Sequence, residues 1–531
     1  MTMIGTKEKR KLYYILLTAI SILFMGTRLF RLDSVPFTSY GMELDELGAA
    51  YDAWCIQGWG VDRYLTGFPV YFLNTGEGQN ALYIYLAAIM FKLFGFTLFK
   101  FRLIAVICAS FAYICLYYLS AELIGDEFFR LIPNILMTIT PVYMMSEHWG
   151  LEAYLFLSFA IISFFFFQKA FKSGKIGDFI ISGVLWGITF YTYGISYIVL
   201  PLFMILILIY LLYLKKVNFS QIMGMAVPMI IFGIPLALEQ FVIMGIIEPF
   251  SLGRMDFRPV KIARWGDIAF KYIPENIRRF PIAIFVWDGC FYNAAPVFGT
   301  IYYISIPFML VGFILVIKKT IRSVRENSYD IYTIIFLFFI AAQTVLLMTR
   351  NLNINTANVL FFPYLIFTSE GIIFVIKKTN RKAAAFVIAA VYIVVFLFFA
   401  KWMYSNGEFS WNYSSRPRTE EYIVEDIHTG LAIQEAKRIC GGRHLQMMIN
   451  DVEGRYQQIC LFAGTSPYDY NGEGYSENGY DIGIPEEIDL SGDTVYLIED
   501  DLHHITDYLV SEGFINQPAK QGGFSVVYKA L

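Results

Sequence analysis

Residues 80–95, NALYIYLAAIMFKLFG, form a short apolar run whose placement decides which side of a membrane every later loop faces. The chain around it is mostly membrane material. Of 531 residues, 57% are hydrophobic and only 16% charged, with a mean hydropathy of +0.54, against about 25% charged in an ordinary soluble domain. That balance excludes a soluble globular enzyme. Windows of about 20 apolar residues suffice to cross a hydrocarbon core of about 30 Å. They begin after the basic run Lys7, Lys9, Arg10 and Lys11 and predict about eleven spans, at 12–30, 98–122, 128–145, 153–171, 178–191, 194–213, 222–244, 301–317, 329–348, 355–376 and 384–402. The first reads as a retained helix rather than a signal peptide, because Arg28 and Arg31 follow it without a small-residue cleavage site.

Basic loops settle the status of 80–95. If the run stays outside the bilayer, Lys169/Lys172/Lys175, Lys215/Lys216, Lys318/Lys319/Arg322/Arg325 and Lys377/Lys378/Arg381/Lys382 all share a side with the N-terminal basic cluster; if it crosses, all four oppose that cluster. Cytoplasmic loops carry the excess of Lys and Arg. The run is therefore expected to be a juxtamembrane helix in the outer interface, with Lys92 reaching toward the headgroups. The N-terminus is then cytoplasmic in a multi-pass protein of the cytoplasmic membrane. Four pieces face outward: a first loop at about 31–97, a second at 146–152, a third at 245–300, and everything after about 403.

The last piece, 403–531, reads as a separate extracytoplasmic domain. It holds 21 Asp and Glu against 8 Lys and Arg, a net of −13, leaving +10 on residues 1–402. Residues 420–440 have helical periodicity, whereas LQMMIND (445–451), TVYLIED (494–500) and FSVVYKA (524–530) read as strands, so a small α/β unit is expected. The fold class is thus an all-α polytopic bundle with a small C-terminal α/β domain. Cys108 and Cys115 sit in a span as packing residues. Cys440 and Cys460 share the outer domain, where a bridge is permitted but not established by spacing. There is no internal repeat, low-complexity tract or phosphate-binding glycine loop, so a nucleotide-binding module is unsupported.

The chemistry concentrates in the first outer loop. Asp45 and Glu46 are adjacent carboxylates just past the first span, followed by Trp54, Trp59, Tyr64 and Tyr71, whose flat faces suit a sugar ring or alternatively an interfacial aromatic belt. His148 and Glu152 are four apart in the second loop, on one face if a helix begins there. Glu239 and Glu370 fall near span ends and read as interfacial. Asn353, Asn355 and Asn358 are expected either to cap a helix or to bond a donor phosphate or sugar. PYDYNGEGYSENGYD (467–481) reads as a turn-rich solvated loop.

Seven blocks carry a family resemblance: LDELGAAYDAW (44–54), VDRYLTGFPVYFLN (61–74), GQNALYIYLAA (78–88), FRLIAV (101–106), HWGLEAYLF (148–156), GITFYTYGISY (187–197) and WDGCFYNAAPVFG (287–299). In this order and topology they resemble the GT-C membrane glycosyltransferases, nearest to the family 39 branch of protein O-mannosyltransferases and lipid A aminoarabinose transferases. The resemblance implies transfer of a monosaccharide from a polyprenyl-phosphate donor to an acceptor hydroxyl of a lipid, wall polymer or protein on the outer membrane face, with no nucleic-acid partner. It implies inversion at the anomeric carbon, with Asp45 as general base and Glu46 beside it. Arginine suits the leaving phosphate, because its planar fork grips two oxygens; candidates are Arg63, Arg102, Arg254, Arg258 and Arg350. The substrate-binding set is Asp62, Arg63, Tyr64, Asn74, Gln79, Arg102, His148, Glu152, Tyr193, Asp288, Asn293 and Arg350. No cofactor is expected to be required; a divalent Mg²⁺ or Mn²⁺, if used, would fall to Asp45, Glu46, His148 and Glu152. The rival classes are a lipid or glycan transporter, which should show inverted repeats and midplane charges, and a noncatalytic membrane binding protein.

Overall fold

The apolar stretches fold as helices where their hydropathy placed them, because backbone inside a bilayer must satisfy its own hydrogen bonds. The computed structural model describes residues 6–34, 41–74, 77–260, 267–285, 295, 297–350, 352–379, 381–405, 424–469, 480–520 and 522–530. The chain opens with helix α1 (Thr6–Leu29), strand β1 (Gly41–Glu43), helix α2 (Leu44–Trp59), the hairpin β2 (Tyr71–Asn74) and β3 (Glu77–Asn80), and helix α3 (Ala81–Phe94). The bundle continues with α4 (Leu98–Leu123), α5 (Leu131–Ile139), α6 (Pro141–Ser146), α7 (Glu152–Ser173), α8 (Ile176–Thr189), α9 (Ser196–Tyr213) and α10 (Phe219–Ile243). A second hairpin, β4 (Phe250–Leu252) and β5 (Met255–Phe257), and helix α11 (Ile273–Phe285) precede α12 (Ser305–Arg325), α13 (Ile331–Met348), α14 (Phe361–Lys378) and α15 (Arg381–Tyr404).

Among the described residues, eight helices are long and apolar enough to cross a membrane: α1, α4, α7, α9, α10, α13, α14 and α15. The other three predicted spans are helical too, but shorter, broken or more charged. The 128–145 span divides into α5 and α6 because Pro141 has no N–H to give and starts a new helix instead. Helix α8 has 14 residues, and α12 ends in a basic turn. Helix α3 also has 14 residues, about 21 Å at 1.5 Å per residue, which is short of a hydrocarbon core. It buries Tyr83, Ile84, Ala87 and Phe91 and exposes Ile89, Leu93 and Phe94, as a helix lying along an interface would.

Helices α12 and α14 meet backbone to backbone. A Cβ on Gly312 would run into the Phe367 carbonyl, and one on Gly371 into the Phe308 carbonyl. Near the basic end of α12, Lys319 Nζ lies 2.7 Å from Glu370, which also accepts from the Tyr332 hydroxyl, so Glu370 sits paired toward the end of its span.

The C-terminal region adds strand β6 (Val424–Asp426), helix α16 (His428–Cys440), strand β7 (His444–Met448), helix α17 (Val452–Ala463), strands β8 (Tyr480–Ile482) and β9 (Thr494–Glu499), helix α18 (His503–Ser511), and strands β10 (Ile515–Pro518) and β11 (Phe524–Tyr528). Five strands form one sheet in the order β10-β11-β9-β7-β8, with β7 parallel to both neighbours and the β9 side antiparallel. The three strands read from sequence are β7, β9 and β11; β8 and β10 are short and carry no clear alternation. Cys440 and Cys460 are not bridged to each other, and the Cys440 thiol bonds the Arg443 carbonyl. Strand β6 leaves this sheet and pairs antiparallel with β1, placing Val424 opposite Glu43. One hydrophobic core runs from α2 and α3 into α16, α17 and the sheet.

Candidate active site

Three acids meet at the start of α2. Glu43 is the cap: its backbone is extended, its carboxylate accepts the Asp45 and Glu46 N–H groups at 2.6 and 3.3 Å, and the Glu46 carboxylate accepts the Glu43 N–H at 3.2 Å. This reciprocal cap satisfies donors that the first turn leaves over, and its charge suits the positive end of the helix dipole. The neighbours Asp45 and Glu46 then diverge, since successive helical side chains point about 100° apart.

Glu46 is fully buried. Its two oxygens take the Arg102 fork from α4 at 2.9 and 2.7 Å, and Oε1 also accepts the Gly150 N–H. Arg102, likewise fully buried, donates further to the Gly41 carbonyl at 3.1 Å. The pair expected to act as a catalytic carboxylate and a phosphate grip is thus engaged in joining α2, α4 and the 147–151 turn.

Asp45 stays half-exposed. Its Oδ1 accepts Asn74 Nδ2 at 2.8 Å; the same nitrogen reaches Gln79 Oε1 at 3.1 Å, and Gln79 Nε2 donates to Glu152 Oε2 at 3.0 Å. The β2–β3 hairpin therefore holds two amides between two carboxylates. Arg63 sets the orientation of the first: its Nη2 donates to Asn74 Oδ1 at 2.6 Å and to the Leu73 carbonyl at 3.1 Å. A guanidinium only donates, so the Asn74 oxygen must face Arg63 and its N–H groups must face Asp45 and Gln79. Arg63 is itself buried, with its Nε 3.7 Å from Asp52 and its backbone N–H bonded to Asp52 at 3.0 Å. Burial outweighs the pull of Arg63 and holds the Asp52 carboxyl above its ordinary range. Gly48 makes the arrangement sterically possible, since a Cβ there would lie 2.7 Å from Asn74 Oδ1 and collide with Arg63 Nη1.

Glu152, at the first turn of α7, forms part of the wall of an open cleft. Its polar lining also includes Tyr71, Asn80, Tyr193, Tyr197, Gln240, Asp267, Thr349 and Thr356. Tyr197 donates to the Asn80 side chain and stands edge-on to Tyr71 at 6.5 Å. Arg350, two-thirds exposed, stands at the rim 3.7 Å from Asp267. Aromatic faces, amides and two carboxylates lining one open cleft suit a polyhydroxylated ring.

Of the sequence-derived residues, Asp45, Asn74, Gln79, Glu152, Tyr193 and Arg350 fall in or beside this cleft network. Others do not. Asp62 is a turn-maker, its carboxylate accepting the Tyr64 and Thr66 N–H groups at 2.9 and 2.8 Å. Tyr64 is exposed beneath the Arg63 guanidinium. His148 does not share a helix with Glu152, because Leu151 breaks the backbone before α7. It is buried instead beside Tyr404, with Nδ1 2.7 Å from the Met144 carbonyl. Asn353 and Thr356 cap each other's backbone at 2.8 and 3.0 Å, the capping role read from sequence. Asp288, Asn293 and residues 470–479 lie outside the described residues. The contingent metal set of Asp45, Glu46, His148 and Glu152 does not come together, and among the described residues no group of three or more His, Cys, Asp and Glu side chains is placed to hold an ion. Sequence reasoning missed Asp52, Asn80, Tyr197, Gln240, Asp267, Thr349 and Thr356. Asp52, Asn80 and Tyr197 stood within the quoted blocks, but Asp267 and Thr349 carried no signal.

Against known proteins, a family model described as dolichyl-phosphate-mannose-protein mannosyltransferase matches residues 80–237, from α3 to α10. This is the branch to which the quoted blocks point, although the match begins after the acid pair. No curated protein matches the chain. Among solved structures, the chain is similar to the Archaeoglobus fulgidus oligosaccharyltransferase tethered with an acceptor peptide, at 12% identity and a TM-score of 0.48, covering 99% of this chain and 75% of that one. It is similar to AglB from the same organism in complex with an inhibitory peptide and a dolichol-phosphate, at 13% and 0.45, covering 87% of this chain and 65% of that one. It is also similar to ArnT from Cupriavidus metallidurans bound to undecaprenyl phosphate, at 10% and 0.45, covering 98% of each. The chain thus spans 65% of the length of the archaeal enzyme in its apo and inhibited forms.

Proposed function

We propose that the chain is a membrane glycosyltransferase that moves a monosaccharide from a polyprenyl-phosphate donor to an acceptor hydroxyl on the extracytoplasmic face, inverting the anomeric centre with Asp45 as general base. The single supporting observation is the division of the acid pair: Glu46 is locked to Arg102, whereas Asp45 remains half-exposed and is aimed by Asn74 toward the network that ends at Glu152 in the cleft. A hydroxyl is a poor nucleophile until a positioned base takes its proton, and a held, partly dehydrated carboxylate suits that work. The acceptor O–H proton passes to Asp45, the oxygen bonds to the anomeric carbon, and the bond from that carbon to the phosphate oxygen breaks, its electron pair leaving with polyprenyl phosphate. Developing charge on the phosphate calls for a cation that is free to meet it. Arg350 at the rim fits better than Arg63 or Arg102, whose guanidiniums are buried and engaged. The reaction balances without a metal. The cleft, the C-terminal domain and α3 then face outward and the basic loops inward. The acceptor is a lipid, a wall polymer or a protein.

Purified protein in detergent, given a panel of polyprenyl-phosphate monosaccharides and a membrane extract, tests this. Wild type should release label from one donor, and Asp45→Asn should lose about 10²- to 10⁴-fold in kcat with its fold intact. Equal rates for the two proteins with every donor would remove Asp45 as the base and leave transport or binding as the function.

A further inference from the structure

Resting on the reading above, we propose that Arg63 is a positioning residue for Asp45 and that the C-terminal domain holds it there, so that this domain is part of the catalytic machinery rather than a separate recognition module. The domain grips α2 and the segments on either side of it in three places. Strand β6 pairs with β1, whose last residue, Glu43, caps the Asp45 helix. Helix α17 packs along α2 within one shared core, and Gly464 at its end is tight against Trp54, with a Cβ there 3.1 Å from the indole. Tyr456, on α17, faces Arg63 and Tyr64, with Gln457 Nε2 donating to its hydroxyl at 3.1 Å.

Arg63 therefore stands between the domain and the acid. On one side are Tyr64, Asp52 and Tyr456; on the other is Asn74, whose amide it orients toward Asp45. No replacement side chain offers the same fork. Lysine keeps the charge, but its single nitrogen cannot bond Asn74 Oδ1 and the Leu73 carbonyl, as Nη2 does, and at the same time stand beside Asp52, which faces Nε at the other end of the guanidinium. Asn74 would then be free to flip, presenting its oxygen to a carboxylate, and the base would lose its aim. A misplacement of about 1 Å at a reacting group costs about 10²-fold in rate, and the loss should appear in kcat because Arg63 does not touch donor.

The test uses the full-length protein and rates normalised to folded enzyme. Arg63→Lys and Tyr456→Phe should lower kcat, about 10- to 100-fold for the first, with donor KM unchanged within about twofold. In an Asn74→Ala background Arg63→Lys should add no further loss, because both act through one amide. A raised donor KM with unchanged kcat would make Arg63 a phosphate ligand and overturn the proposal, as would losses that multiply in the double variant. Hydrogen exchange across residues 44–59 supplies a readout independent of turnover. Tyr456→Phe should speed it while leaving α12–α14 unchanged, and unaltered exchange would overturn the coupling. If wild type transfers no sugar from any donor, the proposed function fails while the exchange result still decides the coupling.

Discussion

Asp45 and Glu46 share a charge and a peptide bond yet have opposite fates, and the difference lies in a rotation of about 100° along the helix. Glu46 points into the bundle and meets Arg102; Asp45 points toward the β2–β3 hairpin. Amide replacement should separate them. Glu46→Gln leaves the Arg102 charge buried without its counter-charge and should cost about 3–5 kcal/mol, read as a lower melting temperature or a loss of monodisperse protein in detergent, whereas Asp45→Asn should melt like wild type. Equal melting of the two variants would contradict this division. His148 illustrates the same limit of sequence reading. Its position beside Glu152 suggested a ligand, but burial near Arg28 and Arg102 pushes its imidazole down to about 3 and keeps it neutral. An unfolded histidine titrates near about 6.5, so the unfolded chain gains a proton that the folded chain refuses. Stability is therefore complete above about pH 6.5 and falls as pH drops toward about 3, by about 2 kcal/mol at pH 5. His148→Gln should remove that acid sensitivity when melting is compared at pH 7 and pH 5; an unchanged slope would locate it elsewhere.

Helical periodicity and length told most of the elements apart, but contacts between elements depend on single atoms. Hydropathy placed α12 and α14 without showing that they touch backbone to backbone at Gly312 and Gly371. Gly312→Ala should push them apart and cost at least about 1–3 kcal/mol, whereas Gly233→Ala, in open space on α10, should be neutral; thermal melting of both in one detergent checks this. Pro141 breaks the 128–145 stretch, which hydropathy alone reads as one span. The 14 residues of α3 are too few to cross a hydrocarbon core, as the basic loops led one to expect of a run that does not cross, since length and charge asymmetry both reflect the cost of carrying backbone or cations through hydrocarbon.

At the scale of the whole molecule, the region after Met403 differs in charge from the rest and reads as an independent unit, but its core continues into α2 and α3. Phe462 sits at that junction, buried against Gly430 and edge-on to Phe96 at 5.2 Å. Phe462→Ala should cost about 3–5 kcal/mol and also loosen helix α2, hundreds of residues earlier; hydrogen exchange confined to the C-terminal sheet would show instead that the two regions are separable. The sequence by itself determined the membrane class, the helical spans and the acidic character of the C-terminal region. Those properties follow from composition and local periodicity, which need no knowledge of partners. Tertiary structure alone decided which acid of the pair stays accessible, that Arg63 and Arg102 are engaged, that Glu152 and Asp267 share a cleft, and that β6 pairs with β1. Each of those is a meeting of residues far apart in the chain, and such meetings are set by packing and by the need to pair every buried polar group, neither of which leaves a periodic trace along the sequence.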